Sequence, residues 1–192
     1  MLKEFVSELN NKIPNSKAEY IPMQEAGDDS ILVQAVVISE VLGFFKNHPK
    51  FPFKVLQVIS GVDYNEYFEI CYMIATFDLH ASHELIIKTR LTDRNEPTLN
   101  SVVDIYKSAE WQERECFDML GIKFSNHPDL RRILCPDDWE GFPLRQDYMA
   151  AKFYNGMEIN PDAKMNLEDR EYIIKAVENK DELIKKALAK GL

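Results

Sequence analysis

The chain has 192 residues, 45% of them hydrophobic and 29% charged, with 23 lysines and arginines against 32 acids and a net charge of −9. That composition describes one soluble domain, or one with a tail, large enough to build a core without disulfide or metal staples. The acidic balance disfavours a sequence-independent binder of nucleic acid or anionic membrane, and three scattered cysteines fit a reducing compartment better than a disulfide framework.

Leu2, Phe5, Val6, Leu9 and Ile13 recur at helical spacing, so the first dozen residues predict an amphipathic helix that stops at Pro14. With an acid at Glu4 and no apolar run before a small-residue cleavage site, this start does not read as a secretory leader. Ile31 to Ile38 reads as a strand, and Ser39 with Glu40 as the cap of a second helix with Val41, Leu42 and Phe45 inside, ending before Pro49. Phe53 to Val62 is apolar without clean alternation, which predicts a strand buried on both faces. Tyr67 to Phe77 and Leu85 to Leu91 predict two more strands, joined by a turn at His80 to His83.

Beyond Pro97 the pattern turns helical: Ser101 is expected to cap Val102 to Tyr106, and Ser108 to cap Ala109 to Leu120 with Gly121 as the left-handed stop. The fold class is therefore α+β, a mostly antiparallel sheet packed with helices. Residues 1–121 form its core domain. Residues 122–157, punctuated by Pro128, Pro136, Gly141 and Pro143, read as an extended, ordered arm. Residues 158–192, with a thin stripe of Ile173, Val177, Ile184 and Leu188, read as a helical tail that is either solvated or docked on a partner. The longest uncharged stretch in the apolar regions, Ser30 to Ser39, has 10 residues, too short to span a bilayer.

Several chemistries are excluded by counting. No two of the seven glycines lie closer than 15 residues, so neither a phosphate loop nor a dinucleotide fingerprint can be built, and three cysteines without a C-x-x-C pair cannot hold an iron–sulfur cluster. His80 and His83 with Cys71 form the only metal nucleus, and it lacks a specified third or fourth ligand position. Cys116, His127 and Cys135 would need an orienting group and a depressed thiol pKa to act as a nucleophile pair. Glu113 or Glu115 as a general base would need a pocket that the sequence does not announce. The special residues concentrate between Trp111 and Tyr148, where Arg114, Arg131, Arg132 and Arg145 can fork onto carboxylates. This pattern points to a structural network or an interface before it points to catalysis.

Trp111-Gln-Glu-Arg-Glu-Cys-Phe-Asp-Met-Leu-Gly-Ile, then His127-Pro-Asp-Leu-Arg-Arg, then Gly141-Phe-Pro-Leu-Arg-Gln-Asp147 resemble the signature of the 30-kDa, C-type subunit family of the proton-pumping NADH:quinone oxidoreductase, respiratory complex I. The likeness is densest over 48 residues, Ser101 to Tyr148, and extends to about residue 157. It implies an accessory subunit of the hydrophilic arm, peripheral on the cytoplasmic side of the inner membrane, which supports electron transfer from NADH to quinone coupled to proton translocation. It implies no catalytic, cofactor-binding or metal-binding residue and no cofactor. The implied partners are the D-type subunit that forms the quinone cavity and the neighbouring hydrophilic-arm subunits, with membrane contact only through the assembly and no nucleic acid. Glu113, Arg114, Glu115, Asp118, His127, Arg131, Arg132, Trp139, Arg145 and Asp147 would be the motif positions that order the arm and dock it. Gln146 departs from the family's usual basic residue, which puts one ion pair in doubt. A homologous subunit of a membrane-bound hydrogenase, or of another quinone- or ferredoxin-linked oxidoreductase, is the alternative.

Overall fold

The computed structural model describes residues 2–22, 29–77 and 83–159. Residues 2–149 form one unit. Its centre is a five-stranded sheet in the order β1 (Glu19–Ile21), β2 (Ser30–Val33), β5 (Glu84–Leu91), β4 (Phe68–Ala75), β3 (Val55–Asp63), antiparallel except where β2 runs parallel to β5. A parallel neighbour needs a long crossover, and the chain between β2 and β5 supplies it with helix α2 (Ile38–Lys46) and the β3–β4 hairpin. The fold class read from the sequence is therefore the one observed: α+β, with a mixed but largely antiparallel sheet.

Helix α1 (Leu2–Lys12) turns Phe5 and Leu9 inward, and α2 turns Val41, Leu42 and Phe45. They meet Ile70, Tyr72 and Ile74 of β4 and Leu85 and Ile87 of β5 in one core. Phe5 sits edge-on to Phe45 at 5.5 Å and to Phe53 at 6.0 Å, the offset geometry that aromatic quadrupoles favour.

Three local expectations need correction. The β2 strand ends at Val33, because Ala35–Val37 coil into a 3-10 turn that leads directly into α2. Ser39 therefore lies inside the helix, and no side chain caps its start. The β3 strand is not buried on both faces: it is an edge strand whose Val55, Val58 and Val62 are 37, 46 and 38% exposed. A bulge between Leu56 and Val58 shifts the register by one residue, so an apolar run that serves one face on each side of the bulge mimics a doubly buried strand. Val102 to Tyr106 makes a single turn, closed by Tyr106 N–H to Val102 O at 2.8 Å, and no helix. Two short parallel strands, β6 (Thr98–Asn100) and β7 (Lys123–Ser125), were not anticipated.

Helix α3 (Ala109–Leu120) lies against β3 and covers its open edge. Unpaired strand edges invite pairing with other chains. Here side chains spaced four apart along one helical face satisfy the edge instead. Ser108 Oγ donates to Leu56 O at 3.1 Å, Gln112 accepts from Ile59 N–H and donates to Gln57 O at 3.3 Å, and Gly61 N–H faces Cys116 Sγ. Ser108 thus serves the strand and makes no cap bond to its own helix. Gly61 permits the close approach, since a Cβ there would collide with Leu120 Cδ1. Gly121 stops the helix as expected, at φ 74°, and its N–H returns to Phe117 O.

From residue 126 the chain runs as a succession of turns as far as residue 149. A separate small unit begins at residue 150, with a two-residue Asn155-Gly156 turn joining β8 (Phe153–Tyr154) to β9 (Met157–Glu158). The expected helix between residues 166 and 192 lies outside the described residues.

Replacing Gln112 with Ala strips two hydrogen bonds from the β3 edge. Urea unfolding should show a loss of about 1–2 kcal/mol with an unchanged m-value. A loss below about 0.3 kcal/mol would mean that water serves the edge equally well.

Candidate functional site

The special residues between Trp111 and Tyr148 form one network with α3 at its centre. Residues 126–149 have no strand partner, so their backbone groups must find hydrogen bonds elsewhere. Asp118, fully buried on α3, supplies three of them: its Oδ2 accepts from Ile133, Leu134 and Cys135 N–H at 2.9, 2.6 and 2.9 Å. Its Oδ1 accepts from Arg132 Nη1 at 3.2 Å. Burial pushes the Asp118 carboxyl upward, but the three backbone donors and the Arg132 guanidinium outweigh it and hold the group below the usual carboxylate range. Arg132 also donates from Nη2 to Gly141 O at 2.9 Å, so one guanidinium joins the helix to two points of the arm.

Arg114 is buried one turn earlier, donating from Nε to Arg131 O at 3.2 Å, with its guanidinium 4.8 Å from the Trp111 ring centre. The arm's far end is fixed by Arg145, whose Nε donates to Leu120 O at 2.6 Å. A cation there satisfies a carbonyl left open at the helix C-terminus and complements the helix dipole. Its guanidinium packs between the rings of Phe68 and Phe142, at 5.1 and 4.6 Å. Leu144 N–H donates to Met119 O at 3.0 Å. At Gly121 the φ of 74° and the Phe142 ring 2.5 Å from a built Cβ leave room for glycine alone.

A second buried carboxylate holds the same end. Asp63, at the tip of β3, accepts both Arg94 nitrogens at 2.5 and 2.9 Å, Asn65 N–H at 2.8 Å and Gln146 N–H at 2.9 Å. The Arg94 fork, opposed by burial and aided by the two backbone donors, places the Asp63 carboxyl well below the usual range. Asp147 stays 65% exposed and reaches Arg94 only at 3.7 Å. Gln146 contributes through its backbone, which any residue there would do.

Glu113 faces the other way, into the turn before α3. Its carboxylate accepts Ser101 Oγ and Val102 N–H, both at 2.7 Å. Burial raises its pKa despite these bonds and the His127 ring 4.0 Å away, because no guanidinium compensates the lost hydration. His127 takes a bond at Nδ1 from Asp129 N–H, 3.1 Å, which leaves Nε2 as the donor to Glu110 O at 3.0 Å. Trp139 Nε1 donates to Tyr148 Oη at 3.1 Å. Glu115 and Arg131 point outward, Arg131 pairing only with exposed Asp129 at 2.9 Å.

No group of three His, Cys, Asp or Glu residues among the described residues could hold a metal ion. His80 lies outside those residues, and the His83 ring packs edge-on to Phe51 at 5.3 Å. Burial pushes the Cys116 thiol up to about 12, and burial with Asp118 nearby raises Cys135, so neither is a thiolate nucleophile at neutral pH. Of the residues that organise the site, Asp63 and Arg94 were missed. The one available signal is phase: with the bulge, Asp63 falls on the buried side of β3, where an acid demands a partner.

The family model described as "Respiratory-chain NADH dehydrogenase, 30 Kd subunit" matches residues 31–154. The C-type subunit of NADH-quinone oxidoreductase from Chlorobium phaeobacteroides is 42% identical over 119 residues, 60% of this chain and 70% of that one. Its counterpart in Bartonella tribocorum is 38% identical over 155 residues, 79% and 73% of the respective chains. Among solved structures, a chain of the membrane-bound sulfane sulfur reductase, an archaeal respiratory membrane complex, matches with a TM-score of 0.60 at 27% identity, covering 77% of this chain and 85% of that one.

Asp118→Asn keeps the size but loses the charge that the three N–H groups and Arg132 address, and should cost about 3 kcal/mol by chemical unfolding at pH 7. Because the folded-state pKa of Asp118 is depressed, its contribution is complete above the unfolded value of about 4 and is lost as pH falls through the folded value. The wild type should therefore lose stability more steeply than Asp118→Asn as pH falls below about 4. Parallel curves would show that Asp118 is not the charged anchor.

Proposed function

This chain belongs to the family of the 30-kDa subunit of respiratory-chain NADH dehydrogenase, and from that premise we propose that it acts without catalytic residues of its own, as a docking subunit. It is one subunit of a larger respiratory enzyme, NADH-quinone oxidoreductase. Its own task is to hold the quinone-reducing module in register, so that electrons carried by cofactors in neighbouring subunits reach quinone at a fixed place. The face that docks is the outer surface of residues 126–149, its immediate neighbour is the D-type subunit that forms the quinone cavity, and its place is the cytoplasmic side of the membrane. No helix among the described residues is long and apolar enough to cross a membrane, which agrees with a peripheral position.

One observation carries this reading. The arm directs its strongest polar groups inward, onto α3 and Asp63, and leaves Leu134, Leu144 and Met149 63, 60 and 89% exposed, with Trp111 of α3 62% exposed. Large exposed apolar side chains on an irregular segment tied down by hydrogen bonds are the kind of residue that interface cores use. The shared designation of the relatives supports an NADH- and quinone-linked assembly over a hydrogen- or sulfur-linked one.

Leu134→Asp and Leu144→Asp test it on outward side chains that do no internal work. Each should leave the unfolding free energy of the purified chain within about 0.5 kcal/mol of wild type. In cells relying on the variant, membrane-bound NADH:quinone reductase activity should fall at least about tenfold, with the subunit lost from the complex on native gels. Normal assembly with both variants would remove the arm as the docking face. The purified chain alone should oxidise no NADH and show no visible absorption band.

A further inference from the structure

The net charge of −9 hides a local reversal. From Val41 to Val62 the chain carries Lys46, Lys50 and Lys54 and no acid. The fold gathers these lysines at one corner, where α2 runs into β3 and the turn at Asp104–Lys107 comes alongside. Two clefts open there, of about 190 and 430 Å³, and both are lined by Lys54. Lys50, Phe51, Phe77 and His83 complete the smaller one, and Lys46, Ile105 and Lys107 belong to the larger. Among the described residues Asp104 is the only acid lining either cleft, and it lies 3.8 Å from Lys107.

Two acids of adjoining elements have partners of their own. Glu8 of α1 holds His48 at 3.1 Å and Lys12 at 3.2 Å, and Glu84 of β5 accepts from Gln57 at 3.2 Å. Lys46 spends its ammonium on Ile105 O. Among the described residues Lys50 touches only the Phe51 ring, 5.2 Å from its centre, and Lys54 makes no ion pair. Between these two cations Phe77 stands 86% exposed, beside Phe51 and Pro52.

We propose that this corner is a second docking site, distinct from the arm, which takes an acidic peptide segment with an apolar side chain between its carboxylates, contributed by a neighbouring subunit. The carboxylates pair with Lys50 and Lys54, and the apolar side chain fills the smaller cleft against Phe51 and Phe77. An extended chain suits the shape, since concave clefts on both sides of Lys54 admit side chains that a planar bilayer surface cannot insert. On a protein with a net charge of −9, a corner that carries lysines also favours an acidic partner. The proposal rests on the multi-subunit reading above, but its test uses the full chain alone and does not depend on the arm.

The probe is a labelled peptide, Glu-Glu-Phe-Glu-Glu with blocked ends, followed by fluorescence anisotropy at low ionic strength. Wild type should bind it, and K50E/K54E should weaken binding at least about tenfold while melting at the wild-type temperature. K17E/K123E, an equal charge change at exposed lysines elsewhere, should leave binding within about twofold. Phe77→Ser should weaken binding about threefold or more, and the same loss should follow when Ser replaces the peptide's Phe. Equal losses in K50E/K54E and K17E/K123E, or indifference to both Phe changes, would reduce the effect to non-specific attraction and overturn the proposal. Binding to vesicles containing phosphatidylglycerol without binding to the peptide would overturn it in favour of a lipid surface. If peptide binding holds while both Leu134→Asp and Leu144→Asp assemble normally, the corner stands and the arm reading falls.

Discussion

Everything distinctive about this molecule depends on one carboxylate that is out of water. Asp118 sits fully buried on α3 and faces three successive backbone N–H groups and a guanidinium. A chain of turns pairs only some of its own amides, as Trp139, Arg145 and Tyr148 do within residues 126–149, and the others need partners from elsewhere. A buried ionised group is tolerable only when its lone pairs are filled, and the arm fills them. Each side thus removes the other's desolvation penalty. Such directional bonds tie a segment with little core of its own to a definite path.

Helix α3 makes this possible because three of its faces do different work. The Ser108, Gln112 and Cys116 face satisfies the β3 edge, Glu113 closes the turn at Ser101 and Val102, and the Arg114 and Asp118 face receives the arm. A twelve-residue helix with so few purely apolar positions would be a weak element by itself. Its stability comes from hydrogen bonds to parts of the chain far away in sequence. Strand edge, helix and arm should therefore order together, since removing any one strands the polar groups of the other two.

What could be read from the sequence follows from the range of each interaction. Helices α1, α2 and α3 and strands β4 and β5 announce themselves because periodicity and terminal signals lie within a dozen residues. The Gly121 stop was readable for the same reason. The β3 bulge was not, because an inserted residue changes register without changing composition. Ser101 and Ser108 were legible as polar residues at helix starts, yet their partners are Glu113 and Leu56, which no local rule supplies. Within the site, Glu113, Arg114, Asp118, Arg132 and Arg145 were identifiable as a charged set. Their pairing was not: no local rule says that Asp118 meets the arm's backbone while Glu115, three residues earlier, is exposed. Asp63 and Arg94 stand 31 residues apart outside the motif, so their fork was invisible.

The buried acids also bear on the proposed docking surface, which is apolar although the chain is acidic. Asp63, Glu113 and Asp118 are each at most 6% exposed, so part of the negative charge is neutralised inside. Asp63 and Asp118 each meet a guanidinium as well as backbone donors, and their pKa values fall; Glu113 meets only neutral donors and a distant imidazole, and its pKa rises. The two depressed groups are the ones that hold the arm, so attachment is strongest where respiratory assemblies work, near neutral pH. Inward-facing arginines cannot serve as rim charges to a partner. Arg132 and Arg145 are committed to carbonyls and to Asp118, so in the proposed docking role recognition falls to exposed side chains, Leu134, Leu144, Met149 and Trp111 among them. In that proposed role, the buried part of a motif that looks like an ionic interface is the scaffold of an apolar one.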